Sequence, residues 1–311
     1  MQLTDLCIFT EPQQGASYDT LLALAQRAEA LGFGGFFRSD HYLVMGGGSG
    51  LPGPTDAWVT LGGLARETST IRLGTLVTPV TFRGPGLLAI SVAQVDHMSS
   101  GRIELGIGAG WYEAEHTAYG FDFGDTAARF DKLTDQLAII DGMWSTPTGE
   151  KFSYTGKVHS VADSPGLPKP LQQPLPIIIG GGGPTRTPAL AARYATEYNV
   201  AFAPVEEFTK RKQRVEAACA AIDRQRQLRY SAAMVVCAGG TEAEVVRRAA
   251  AIGRKPAELR QNGAAGSAEE TAATIRTYID AGADRVYLQI LDLSDLDHVD
   301  FIAGEVAPLL G

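Results

Sequence analysis

Apolar residues in this chain come in short runs separated by longer amphipathic stretches, and the alternation holds from end to end. The first run, Leu6 to Thr10, is too short and too evenly apolar for a helix and reads as a buried strand. From Tyr18 to Leu31 the apolar positions recur at three- and four-residue spacing until Gly32 stops them, which predicts a helix. A second strand, GGFFRS, follows at once. The cycle then repeats as helix Ala57 to Glu67, strand Ile71 to Val77, helix Gly86 to Met98, strand Arg102 to Ile107, helices through Met143 and strand Pro176 to Ile179. Further strands are expected near Glu197 to Phe202, Ser231 to Cys237 and Arg285 to Ile290, with a last helix near Asp297 to Leu310. Eight strand-helix units of this kind predict an α/β protein with the (β/α)8 TIM barrel architecture, a single domain over residues 1–311.

Local signals agree with this register. Thr241 with Glu244 and Ser267 with Glu270 have the spacing of capping boxes at helix starts. ALGFGGFFRSD and DAGADRVYLQI are alike, each a helix end, a glycine stop and a buried strand. An open doubly wound sheet is disfavoured, because no GxGxxG follows the first strand with an acidic residue about twenty positions on. Two segments exceed an ordinary connection. Met45 to Pro54, MGGGSGLPGP, follows the second strand and reads equally as a mobile lid or as a loop without a role. Ser145 to Gln173, an insertion at about 145–173, carries aromatic residues that suit a hairpin and then a proline-rich tail, and is expected to cover a barrel end.

Composition narrows the classes. The 311 residues are 45% hydrophobic and carry a formal charge of −8, with no Lys/Arg stripe beyond the short run Lys210 to Arg214, so a nucleic-acid surface is not expected. That run reads as the wet face of a helix. Cys7, Cys219 and Cys237 are widely spaced, without the pairing of a zinc site or a disulfide framework. No apolar stretch approaches membrane-spanning length and no basic region precedes an apolar signal core, so no membrane partner and a cytoplasmic location are expected.

Pro174 to Arg186, PLPIIIGGGGPTR, carries the clearest chemistry. A strand runs into Gly180, Gly181, Gly182 and Gly183 and then into a helix start. Glycine backbone lets N–H groups approach an anion closely, and a helix N-terminus adds partial positive charge, so a phosphate cradle is expected. Arg186, one turn into the helix, is placed to close on the same anion. The plainer alternative is a flexible turn.

Catalytic groups in a barrel of this kind cluster at the C-terminal ends of strands. The second strand ends in Arg38, Ser39, Asp40 and His41, where imidazole can exchange a proton near neutral pH and Asp40 can orient it, although strand neighbours point to opposite faces. Asp40 capping the loop with His41 as filler is the alternative. The fourth strand ends in GIGAGWYEAEH, whose glycines admit a flat ligand or a phosphate. Trp111 at that rim either stacks on a planar ring or packs beneath a helix. Glu113, Glu115 and His116 follow on a helix start and are not assigned to catalysis. No metal site is expected from Asp40, His41, Glu113 and His116, since HExxH is absent. GxSxG is absent as well.

FFRSDHY, RLGTLVTPVTFR, AQVDHMSSGRIELGIGAGWYEAE and PIIIGGGGP, in this order, make the chain resemble the bacterial-luciferase-like family, in its coenzyme F420-dependent oxidoreductase branch. The resemblance covers essentially the whole chain. It implies a flavin or deazaflavin at the barrel mouth with its phosphate near Gly180 to Gly183, a cis peptide at Leu76–Val77 supporting the ring, and strand-four backbone at Ala109 and Gly110 approaching the cofactor. It also implies a homodimer, with Asp40 and His41 near the reactive ring. The sugar-phosphate dehydrogenases of this branch have glutamate where this chain has Trp111, and tryptophan where it has Met45. A flatter, more apolar small-molecule substrate is therefore expected against Trp111 and Met45. The implied activity is F420-dependent hydride transfer to or from a C=C, C=N or C=O bond. An FMN-dependent monooxygenase and a non-catalytic flavin-binding protein are the alternatives.

Overall fold

The computed structural model describes all 311 residues. Eight strands, β1 (Leu6–Thr10), β2 (Gly35–Arg38), β3 (Arg72–Thr75), β4 (Ile103–Gly108), β5 (Ile177–Gly180), β6 (Glu197–Ala201), β7 (Arg229–Ala238) and β8 (Arg285–Ile290), form one parallel sheet. Each pairs with the next, β8 pairs with β1, and pairing of β6 with β7, Glu197 opposite Arg229, completes the ring. The closed (β/α)8 barrel leaves no long edge strand exposed.

Strand alternation sorts the side chains into two cores. In β1, Leu6 and Ile8 pack outward in the large core beneath the helices, while Cys7 and Phe9 point into the barrel. This explains why the strands read as continuous apolar runs: both faces are covered. The first helix spans Tyr18–Leu31, with Ser17 accepting from the Thr20 N–H and Gly32 left-handed at its end.

Toward the N-terminal ends of the strands the barrel interior is charged. Glu104 on β4 pairs with Arg285 of β8 at 2.7 Å and with Arg72 of β3, and Glu197 lies 3.1 Å from Arg285 while accepting from the Tyr287 hydroxyl at 2.6 Å. Burial alone would push the Glu104 carboxyl up, but the two guanidinium groups outweigh it and hold it down at about 2. Above this layer Phe37 and Tyr287 meet edge to face at 4.9 Å. Burial pushes the neighbouring Cys7 thiol up to about 12, which leaves it inert.

Several expected boundaries shift for physical reasons. The run expected from Ile71 to Val77 ends as a strand at Thr75; the Leu76–Val77 peptide is cis, and pairing to β4 resumes at Thr78–Pro79. The last helix is not continuous: an α segment, Leu296–Phe301, gives way to a π turn, Ile302–Val306, and a 3-10 turn, Ala307–Leu310, where Pro308 supplies no N–H. Ser267 and Glu270 form a reciprocal capping box, whereas Glu244 reaches the Gly240 N–H rather than that of Thr241. A short strand, Ala264–Gly266, extends the end of β7 and was not anticipated.

The insertion forms the expected antiparallel hairpin, Phe152–Thr155 with Ser160–Ser164. It follows a helix, Thr126–Ser145, and precedes β5, so it belongs to the N-terminal end of the barrel, away from the mouth. Its tail closes that end, with Gln172 hydrogen bonded to Asp96, Ile103 O and Arg72. No helix is long and apolar enough to cross a membrane.

Candidate active site

At the C-terminal ends of the strands opens a cavity of about 510 Å³. Its wall takes Phe9 and Glu11 from β1 and the residue run beyond it, Ser39 and His41 from beyond β2, and Leu76, Val77 and Pro79 from beyond β3. Gly108 to Trp111, Gly180 to Gly183, and Asn199, Ala201 and Phe202 continue it around the ring. Phe130 and Leu133 of the helix Thr126–Ser145 close the outer side. A mouth cavity of this size, mostly apolar with a few polar groups, is what a small-molecule site requires.

Val77 lines the cavity and sits among glycines. A Cβ on Gly108 would lie 3.0 Å from one of its methyl groups, one on Gly180 3.3 Å from the other, and one on Gly106 would collide with the Thr75 carbonyl. Gly106 therefore admits the protein's own chain rather than a ligand, a correction to its sequence reading, whereas Gly108 both makes room for Val77 and lines the cavity. Ala109 and Gly110 do line the cavity, as do Leu76 and Val77.

His41 is nearly buried at the cavity wall, and its Nδ1 lies 2.8 Å from Glu115 Oε1. Glu115 is fully buried on the helix Glu113–Tyr119 just beyond β4, and its other oxygen accepts the Tyr42 N–H at 3.0 Å. An ionised carboxylate only accepts, so it places the proton on Nδ1 and leaves Nε2 free to exchange with a ligand. The Trp111 ring stands edge-on to the imidazole at 5.8 Å.

Asp40 does not hold His41. Its buried carboxylate accepts from Thr78 Oγ1 at 2.8 Å and pairs with Arg83 at 2.5 Å, and Arg83 also pairs with Asp56. Consecutive residues leaving a strand diverge to opposite sides, so Asp40 anchors the segment after β3 while His41 faces the cavity.

The glycine loop is built as a cradle but its guanidinium differs from the expected one. Gly181 takes φ +134°, a conformation side-chain-bearing residues rarely adopt, and its carbonyl accepts from the Tyr198 hydroxyl at 2.7 Å. Arg186 turns away from the cavity: it pairs with Asp131, donates to Ala127 O at 3.2 Å and lies over the Phe130 ring. Arg211 takes its place, its Nη1 only 2.8 Å from where a Cβ on Gly182 would be. Arg211 belongs to the run read as a solvated helix face, and is mostly covered beside Glu207.

Trp111 remains at the rim, 65% exposed, stacked on Tyr112 with ring centroids 5.2 Å apart. Met45 does not line the cavity; its N–H donates to Gln14 Oε1 at 3.3 Å within the loop after β2. His116 is occupied by Thr81 and by Tyr112 O, and Glu113 is exposed, so these residues do not converge with Asp40 and His41. No group of three or more His, Cys, Asp or Glu side chains is arranged to hold a metal.

Glu11 was not singled out in sequence, although it lies one residue past the end of β1, two positions after Phe9. Burial pushes its carboxyl up, against the opposing pull of His41 and of hydrogen bonds from Gln14 and Gln289.

A closed barrel with a glycine cradle and a histidine-carboxylate pair at its mouth defines a class of ligand-binding barrels with acid-base capacity. The model of the family described as luciferase-like monooxygenase matches residues 3–295, and the chain belongs to this family. It is 36% identical over 180 residues to an F420-dependent glucose-6-phosphate dehydrogenase of Microbacterium testaceum, covering 57% of this chain and 51% of that protein. The chain thus spans about half the length of the curated relatives it matches. Among solved structures, an F420-dependent secondary alcohol dehydrogenase superposes with TM-score 0.83 at 18% identity over 100% of both chains. A monooxygenase of Streptomyces bottropensis gives 0.79 at 20% identity, over 98% of this chain and 100% of the other. These two likenesses concern the fold.

Proposed function

We propose that the protein is an F420-dependent oxidoreductase that moves a hydride between the deazaflavin and a C=C, C=N or C=O bond of a small organic molecule. The observation that carries this reading is His41, fixed through Nδ1 by Glu115 with Nε2 left free, in the wall of the cavity that also holds the glycine cradle. The residues fit such a cofactor. Gly180 to Gly183 and the N-terminus of the helix Arg186–Tyr194 suit a phosphate, and Arg211 brings a cation to the same loop. The sequence relatives named as F420-dependent dehydrogenases support the choice of cofactor.

Bound and reduced, F420 supplies a hydride. The protein's part is to position and to exchange a proton. His41 Nε2 donates to the substrate atom left negative, or accepts from it in the reverse direction, while Glu115 holds the ring and steadies the imidazolium that alternates with it. Phe9, Phe130, Leu133 and Val77 keep that exchange out of bulk water.

Anaerobic titration of the protein with F420 and with FMN, followed by absorbance, tests the reading. Selective binding of F420 is expected. Selective binding of FMN, followed by oxygen uptake with the reduced flavin, would replace it with the monooxygenase that the family's name describes. Deazaflavin has carbon at ring position five and forms no oxygen adduct, so oxygen uptake separates the two.

A further inference from the structure

Glu11 is the sole carboxylate lining the cavity, and no lysine or arginine lines it. It lies one residue past the end of β1, two positions after Phe9, and both residues line the same cavity. His41 shares the cavity wall with it, Gln14 and Gln289 offer it hydrogen bonds, and no fixed cation lines that wall. Around it the walls are aromatic: Phe9 lies 6.3 Å from Phe202, and Trp111 stands at the rim beside His41. Aromatic faces with an unneutralised carboxylate suit a protonated nitrogen, through charge-assisted hydrogen bonding and cation-π attraction. An anion set against Glu11 itself would meet a like charge, whereas the cradle at Gly180 to Gly183, where Arg211 brings a cation, is a separate part of the same wall.

We infer that Glu11 selects substrates whose nitrogen carries a proton, amines or imines of largely apolar build, and that the site turns away anions such as sugar phosphates. The inference rests on the reading of the mouth cavity as a substrate site. It sets this chain apart from the glucose-6-phosphate dehydrogenases it resembles in sequence.

Benzylamine, benzyl alcohol and benzoate share a ring and differ in charge. Each is titrated calorimetrically at pH 8 into the full chain, with and without F420. Benzylamine is expected to bind at least about tenfold tighter than benzoate, with the alcohol between. Glu11→Gln should bring the three within about threefold, whereas Glu11→Asp, which keeps the charge, should retain the order. Thermal melts establish that both variants fold. Benzoate binding as tightly as benzylamine, no benzylamine binding at all, or an unchanged preference in Glu11→Gln overturns the inference. Failure of the cofactor reading shows separately, as absent F420 binding, and leaves the charge preference of the cavity measurable in the cofactor-free protein.

Discussion

His41 and Glu115 stand 74 positions apart in sequence and meet only because the segments after β2 and β4 converge over the barrel mouth. If His41 is the proton carrier, His41→Ala lowers turnover by about 100- to 10,000-fold with little change in F420 affinity, measured by steady-state rates beside a cofactor titration. Glu115→Gln keeps the shape but removes the charge that steadies the imidazolium. It should cost roughly 10- to 100-fold in turnover with F420 affinity little changed, whereas a purely structural role would weaken both. The two arginines separate in the same way. Arg211→Ala should weaken binding of the phosphate-bearing cofactor by about tenfold, more at low salt, while Arg186→Ala leaves it unchanged because Arg186 points away from the loop, to Asp131 and Ala127 O. Sequence spacing placed only Arg186 at the cradle and read Arg211 as part of a wet helix face, since a helix shows which face is covered only once packed.

The strands and helices themselves were legible, because each is decided by periodicity within a dozen residues: Tyr18–Leu31, Ala57–Glu67 and Arg285–Ile290 lie where the pattern put them. β3 was the exception. Its apolar run continued through Val77, whereas the strand ends at Thr75 and Val77 turns in among Gly106, Gly108 and Gly180, which leave room for its side chain. The interior charge layer was likewise hidden. Glu104, Arg72, Arg285 and Glu197 each look like an isolated polar residue in or beside an apolar strand, and become one network when four strands close on a common axis. Glu104→Ala leaves Arg285 buried with Glu197 as its one remaining carboxylate and Arg72 without its partner, and is expected to cost about 3 kcal/mol in urea unfolding. A loss within about 1 kcal/mol would mean that the layer contributes nothing beyond packing.

Across the whole molecule, the last helix is tied to the barrel by His298, whose Nε2 accepts the Ala238 N–H at 3.0 Å. Burial first, and then Arg248, push this imidazole down to about 4, so it is neutral in the folded protein. The unfolded chain takes up the proton below about 6.5 and the folded one does not, so stability is full above that pH. It should fall by roughly 3 kcal/mol as pH drops toward 4. Urea unfolding at stepped pH measures the slope, and His298→Gln should flatten it. The order of eight strand-helix units, the glycine loop after β5 and the presence of a histidine at the end of β2 were determined by sequence alone, because hydrophobic period, glycine stops and helix caps act between near neighbours. Only the tertiary structure decided that Glu115 rather than Asp40 orients His41, that Arg211 rather than Arg186 meets the cradle, and that Glu11 alone brings negative charge to the cavity wall. Each of these choices depends on the direction of a side chain relative to a segment distant in sequence, and barrel closure is what fixes that direction.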